Sequence, residues 1–475
     1  MSHGDCGCDR REFLLKSGLS LATGMFGLNM VTKFFLEEAY GLEPNPALQK
    51  YDSIIQIFYD GGPSQTDTWD PKPGSNSNVF PTVLTGANDI YGNPFRLSDV
   101  FTSLAGLVND PAFGVGAVRS MTHGNADHSS AQQWMNCFWQ SPVADLYPST
   151  AASMAHLNED RMAGVGIPSV RISGSNGADS NSAKGGLCPT AFNVFNRGAA
   201  VEMLARPTGV DQVRYAKRQR ITQAFDDTFL GSRPDNVAQA WNTSWRRAMD
   251  VTNQGLARGA FDTAGVTRLP GGTSSTEAVS TGVLDNLTLA QNLVMNGVPY
   301  VALGIGGNDT HTGNMARIRR NWGDMTDVPL AQMAQNLKAT GKRVLIVMGG
   351  EFGRRPDNVA AGTRDGRDHW ARGFSWGLFS INQPAFKTTA VGNTGPDGMW
   401  TDRSTTKMKH PTQPSAFGGM LYRAMGYDVG NDPNVVVPTP IGNRPPIDIN
   451  IANGTPANDT DFVGSGWLMQ QFGLI

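Results

Sequence analysis

Asp60, His123, His128, Asp309, His311, Glu351, Asp368 and His369 form a recurring association of carboxylates with imidazoles along the chain. Seven histidines occur in 475 residues; His3 stands near the start, and four of the other six belong to this set. Carboxylates mixed with imidazoles suit zinc, and more oxygen-rich sets suit calcium, magnesium or manganese. Two adjacent ions can clamp the attacking and leaving oxygens of an ester displacement. Gathering several carboxylates with no cation is opposed by like-charge repulsion. Taken singly, each of these residues reads as an ordinary cap or turn residue; the recurrence is what points to metal chemistry.

All of these residues but Asp368 and His369, which come in the loop after Glu351, follow an apolar run. Ser53-Ile54-Ile55-Gln56-Ile57-Phe58-Tyr59 reads as a buried strand that turns at Asp60-Gly61-Gly62-Pro63. Residues 114–121 form a second expected strand, leading to Thr122-His123-Gly124, with a helix over 131–139. A third is expected over 168–173, before a polar loop. Residues 299–305 end in Gly306-Gly307-Asn308-Asp309-Thr310-His311, a helix is expected over roughly 325–340, and the strand over 343–348 ends in Gly349-Gly350-Glu351. Strands alternating with helices predict an α/β fold with a mainly parallel sheet flanked by helices. In such sheets ligands gather beyond the carboxyl ends of the strands, where these side chains fall.

Residues 211–230 and 236–256 are amphipathic and helical in pattern, a Gly/Thr/Ser-rich stretch covers 269–276, and a helix is expected over 283–295. The Pro/Asn-rich stretch 431–458 reads as irregular surface. His410, which precedes Pro411, is a secondary ligand candidate, and His156 reads as structural.

Five segments carry a resemblance. They are residues 61–73, reading Gly-Gly-Pro-Ser-Gln-Thr-Asp-Thr-Trp-Asp-Pro-Lys-Pro, then His128-Ser129-Ser130-Ala131-Gln132, Asn308-Asp309-Thr310-His311, Glu351-Phe352-Gly353-Arg354 and Asp368-His369. Through them the chain resembles the exported bacterial family named domain of unknown function 1501, related to alkaline phosphatases and sulfatases, from the leader to about residue 427. The resemblance implies an alkaline-phosphatase-like fold with divalent metal ions: zinc, calcium, magnesium or manganese. It places Asp60 as the first ligand, with Asp67 and Asp70 as competitors. Asp309 and His311 resemble one downstream metal pair, while Glu351, Asp368 and His369 resemble the other. His128 completes the expected set.

Two departures stand out: Glu351 occupies a position where phosphatases carry Asp, and Asp309-x-His311 is shorter than the usual Asp-x-x-x-His. Ser129 or Ser130, at a helix start, is the nucleophile the resemblance suggests, with Thr122 as an alternative and simple helix capping as the bland reading. Arg354 and Arg355 are placed either to hold an anionic substrate or to neutralise the carboxylates. No Cys-x-Pro-x-Arg sequence of the sulfatase type is present.

Lys and Arg number 39 against 41 Asp and Glu, a net charge of −2, which excludes a binder of nucleic acid working through bulk positive charge. Charged residues are only 17%, with 56 Gly and 28 Pro, so long ordered loops are expected between buried elements. Residues 1–40 read as a twin-arginine-type leader, with Arg10-Arg11 before a weakly apolar run, and residues 50–475 as one α/β domain with loop insertions. The export machinery and a small anionic ester or polymer are the expected partners, in the periplasm or cell envelope. Cys6 and Cys8 precede the arginine pair, and Cys137 and Cys188 are equally readable as a disulfide or as two thiols. Together these features predict an exported metal-dependent hydrolase of phosphate or sulfate esters. The alternative is a non-catalytic exported protein of the same fold that binds surface polymer or carbohydrate or acts in an envelope assembly.

Overall fold

The computed structural model describes residues 42–72, 80–139, 147–158, 167–172, 192–194, 210–211, 213–218, 220–221, 224, 256–356, 365–399, 410–439, 442–453 and 463–475. The expected leader, Cys188 and all but the last residue of the expected helix over 236–256 lie outside these residues, as does half of the stretch from 211 to 230.

An eight-stranded sheet organises the chain. Its strands are β1 (Ser53–Tyr59), β2 (Phe113–Met121), β3 (Val170–Ile172), β4 (Phe192–Val194), β5 (Tyr300–Ile305), β6 (Val344–Gly349), β7 (Phe374–Ile381) and β8 (Thr389–Val391). Their spatial order is β8-β2-β7-β6-β1-β5-β3-β4. Strand β7 runs antiparallel to β2 and β6, and the remaining neighbours are all parallel. The sheet is therefore the mainly parallel α/β type read from the sequence.

Central strands are buried on both faces because successive side chains point oppositely. In β1, Ile55, Ile57 and Tyr59 join an apolar cluster with Leu287, Leu293, Leu330 and Leu337, while Ile54 and Phe58 join the opposite cluster with Phe417, Met420, Leu421 and Leu468. The first cluster draws on α4 (Thr281–Met295) and α6 (Val328–Lys338), and the second on α7 (Pro414–Ala424) and α8 (Ser465–Gln471). Both helix layers clamp β1 and β6, so their carboxyl ends form a rigid edge.

Several expected boundaries move. Helix α2 (His128–Cys137) starts three residues before the expected one because Asp127 caps it, its side chain accepting from the Ser130 amide. Ahead of α6 runs a π-helix over Arg319–Asp327, whose last three residues fall at the start of the helix expected over roughly 325–340. Its two buried acids are tied to backbone amides: Asp324 to Ser274 and Ser275, and Asp327 to Ser103 and Leu104 at the start of α1 (Thr102–Leu107). The tail over 431–458 is not irregular surface throughout. It contains the pair Val437–Thr439 and Gly442–Arg444 and the turn of helix Ile449–Ala452, with Val435, Ile447 and Ala452 buried against the sheet's second cluster. Proline and asparagine density marked the turns there and hid the apolar residues between them.

Candidate metal centre

Strands β1, β2, β5 and β6 are mutually parallel, so their carboxyl ends share one edge, delivering Asp60, His123 with the start of α2, Asp309 with His311, and Glu351. Strand β7 is reversed, so its amino end lies at that same edge and brings Asp368 and His369 with it. A short antiparallel pair, Gly353–Arg354 with His369–Trp370, fixes that approach.

At the centre sits Glu351, fully buried. Its Oε1 accepts from the Gly61 amide at 2.9 Å, from His128 Nδ1 at 2.7 Å and from Gln132 Nε2 at 3.2 Å. His128 and Gln132 stand four apart on α2 and so share a helix face. Gln132 Nε2 also donates to Asp60 Oδ1.

Above this floor, imidazoles converge on Asp309. His311 Nε2 lies 3.2 Å and His369 Nε2 3.4 Å from Asp309 Oδ1, and His128 Nε2 lies 3.5 Å from Oδ2. The two nitrogens of His311 and His369 are 3.0 Å apart. Asp368 Oδ1 is 3.6 Å from His311 Nδ1, and His369 Nδ1 faces the Ala126 carbonyl at 2.9 Å. Phe352 packs against the rings of both His128 and His369. The upper side is open, with the side chains of Asp309 and His311 46% and 51% exposed, so a soluble ligand can reach it.

Arg354 is fully buried beneath Asp309. Its Nε donates to the Gly62 carbonyl at 2.8 Å and its Nη1 to that of Arg367 at 3.0 Å. Its Nη2 donates to the Gly61 carbonyl and to Asp309. The guanidinium is thus spent on the protein itself. Of the two roles open in the sequence, holding substrate and neutralising carboxylates, this geometry matches the second.

The environment shifts the titration of these groups. Burial pulls His128 down, but the hydrogen bond and charge of Glu351, aided by Asp309, hold it above its ordinary value. Burial lowers His369, with the Ala126 carbonyl acting against it and the charges of Arg354 and His128 adding to it. Burial would raise Asp309, yet the Arg354 hydrogen bond and charge, with His128 and His311, bring it below the usual carboxylate range.

Other candidates are placed elsewhere. Asp67 is buried in a bidentate pair with Arg367, at 2.7 and 3.2 Å, and accepts from Asn314. Asp70 binds Lys72 and Thr394. Of the three competing first acids, only Asp60 reaches the cluster, through Gln132. His123, lowered by burial to about 4, bonds the Glu351 carbonyl with Nε2 and the Asn125 amide with Nδ1, a structural use of both nitrogens. His410 bonds Tyr91 and stacks between it and Trp467, outside the cluster. Ser129 Oγ donates to Asp127 at 2.8 Å, and the Ser130 amide donates to the same oxygen at 3.0 Å. Asp127, not either serine, is the cap. The buried Cys137 thiol donates to the Gln133 carbonyl. Sequence reasoning missed Gln132 as a contact of two acids and Ala126 as an acceptor; the i, i+4 spacing from His128 was the available signal for the first.

The residues fit a divalent cation. His128 Nε2 and Glu351 Oε2 are buried polar atoms without a hydrogen-bond partner among the described residues. Among these residues the groups able to hold an ion are His128, Asp309 and His369, and His311, Asp368 and His369.

A family model described as a protein of unknown function, DUF1501, matches residues 51–378. No curated protein matches the chain. Among solved structures, the C-terminal periplasmic domain of EcEptC from Escherichia coli, in complex with Zn, is 11% identical, covering 91% of this chain and 100% of that one, with a TM-score of 0.37. The lipoteichoic acid synthase LtaP from Listeria monocytogenes is 8% identical over 86% and 79% of the two chains, with a TM-score of 0.34. Alkaline phosphatase from the Antarctic bacterium TAB5 is 11% identical over 72% and 94%, with a TM-score of 0.28.

Proposed function

The chain belongs to the DUF1501 family, and from that premise we propose that it is an exported, metal-dependent hydrolase of phosphate or sulfate esters. The observation that supports this most is the meeting of three imidazole Nε2 atoms and Asp309 at the solvent-open carboxyl edge of a parallel sheet. A divalent cation bound there supplies Lewis acidity toward an ester oxygen and lowers the pKa of a bound water.

The chain's own groups prepare that site. Arg354 holds Asp309 ionised and in place, and Glu351 holds the His128 ring by its Nδ1. Ser129 is committed to Asp127, and positions 129 and 130 lie off the helix face that carries His128 and Gln132. Water is therefore the nucleophile in this proposal, and the serines are not.

Elemental analysis of the purified full chain, with turnover of p-nitrophenyl phosphate and sulfate, tests the proposal. Asp309→Ala and His311→Ala are expected to lose the metal, lose turnover by at least about 100-fold and unfold at lower temperature, since a bound ion stabilises only the folded state. Ser129→Ala is expected to keep turnover. Full metal content in both ligand variants refutes the ligand assignment. Metal-loaded protein with no ester turnover favours the non-catalytic, polymer-binding alternative.

Export belongs to the same proposal. No helix among the described residues is long and apolar enough to cross a membrane. Replacing Arg10 and Arg11 together by Lys is expected to abolish periplasmic yield; an unchanged yield removes the twin-arginine route.

A further inference from the structure

Arg317 and Arg320 stand three residues apart on the helical stretch that follows the Asp309 loop, so they share a face. Both turn to one carboxylate: Arg317 Nε donates to Glu277 Oε1 at 3.1 Å, and Arg320 Nη1 lies 2.7 Å from Oε2. Arg319, between them, pairs instead with Asp99 at 3.2 Å. Two guanidiniums on one carboxylate leave a positive charge in excess. Burial lowers the pKa of Arg320, Glu277 opposes this, and the like charge of Arg317 adds to it.

The excess charge is aimed at the loop that carries Asp309. A Cβ on Gly307 would stand 3.2 Å from Arg320 Nη2 and 3.6 Å from Arg317 Nη1. Neither nitrogen makes a hydrogen bond among the described residues, because the contacts of the two side chains run through Arg317 Nε, Arg320 Nε and Arg320 Nη1. Gly307 has φ +85°, and its missing side chain leaves open the point on which the two forks converge. Asn321 Nδ2 holds the loop there, donating to the Gly306 and Gly307 carbonyls at 3.3 Å and to Asn308 Oδ1 at 3.0 Å. The Arg317 side chain is 41% exposed, so the spot is reached from solvent.

A planar guanidinium fork matches the oxygens of a carboxylate, sulfate or phosphate. We propose that Arg317 and Arg320 form an anion site, separate from the imidazole cluster, that takes a second negatively charged group of the same substrate. Gly307 and Asp309 are two residues apart, a span of at most about 7 Å, so one small molecule reaches both. The preferred ester then carries a carboxylate, sulfate or phosphate a few bonds from the group that is cleaved. This preference rests on the ester-hydrolase reading, whereas anion binding at the two arginines does not.

The competing use of these residues is structural, with Glu277 clipping residues 274–280 onto the helix. One variant separates the two uses by sign. For a clip alone, Glu277→Gln loosens the segment and adds no affinity for anions. For an anion site, the same change removes the internal competitor and anions bind more tightly.

The first measurement titrates the metal-stripped full chain with tripolyphosphate by calorimetry at pH 8. One equivalent is expected. Arg317→Gln and Arg320→Gln should each weaken it about 10-fold, the scale of one hydrogen bond to a charged group, and Glu277→Gln should tighten it at least about threefold. The second compares kcat and KM of the purified full chain on phenyl phosphate and on 3-carboxyphenyl phosphate, whose leaving phenols are nearly equal in acidity. The carboxylate should lower KM about 10-fold with little change in kcat, and Arg317→Gln should erase that difference. No tripolyphosphate binding by the parent protein, binding unchanged in both arginine variants, or weaker binding in Glu277→Gln overturns the anion site. Binding as expected with equal KM for the two esters overturns the substrate preference. Binding as expected with no turnover of any ester overturns the hydrolase reading and leaves the anion site standing.

Discussion

Replacing Arg354 by Met is expected to destabilise the protein by about 3–5 kcal/mol and to disable the metal centre together with it. A buried acceptor left without its donor costs about 1–3 kcal/mol, and several are lost here at once, whereas Asp309 itself is half-exposed and water can replace part of its partner. Here the loss strands Asp309 and the carbonyls of Gly61, Gly62 and Arg367, all of which the guanidinium satisfies at once. Lysine is not an adequate substitute, because a single ammonium cannot reproduce the planar fork that reaches several acceptors. Arg354→Lys should therefore rescue less than half of the lost stability.

The pair also leaves a signature in acid. Asp309 has a folded-state pKa below its ordinary value of 3.8, so its contribution is present above that value and is lost as pH falls through the lower folded one. Arg354→Met should flatten the pH dependence of stability in that acid window. Denaturant unfolding from pH 2 to 6 measures both effects, and a variant with wild-type stability and an unchanged acid profile refutes the role assigned to the guanidinium.

Gly61→Ala is the second large effect. Gly61 has φ +107°, a conformation that costs a residue with a side chain on the order of 1–3 kcal/mol. A Cβ there would also stand 2.2 Å from the Asp309 amide nitrogen and 2.7 Å from the Asn308 carbonyl carbon, both main-chain atoms. To make room, the loop after β5 must move away from β1, and Asp309 moves with it. Gly92 separates the two contributions, since it has φ +83° and nothing within 4 Å of its Cβ position. Gly92→Ala should cost about 1 kcal/mol, and Gly61→Ala at least about 2 kcal/mol more, with loss of metal binding. Equal costs in thermal or denaturant unfolding rule out the close approach of the two loops.

The elements of the fold were legible to the degree that they repeat apolar residues. Runs such as 53–59, 299–305 and 343–348 are continuous because strands buried on both faces need apolar residues at every position, and each became a parallel strand within a residue or two. Residues 374–381 form the reversed strand β7, in which Gly377 and two serines break the apolar run, so composition there did not announce a strand.

The same division holds for the site. The sequence by itself determined the chemistry, because a carboxylate or imidazole after four of the apolar runs is a property of residue type and order. It also determined that these groups share an edge, since parallel strands align their carboxyl ends. What only the tertiary structure decided is which of them act together. Reversal of β7 brings His369 to Asp309 across 60 residues, and a helix turn sets His128 and Gln132 on Glu351. Burial turns Arg354 from a candidate substrate clamp into an internal counter-ion. Those outcomes depend on strand direction, on helix phase and on the desolvation of a charge, and all three are set by packing between segments far apart in the chain.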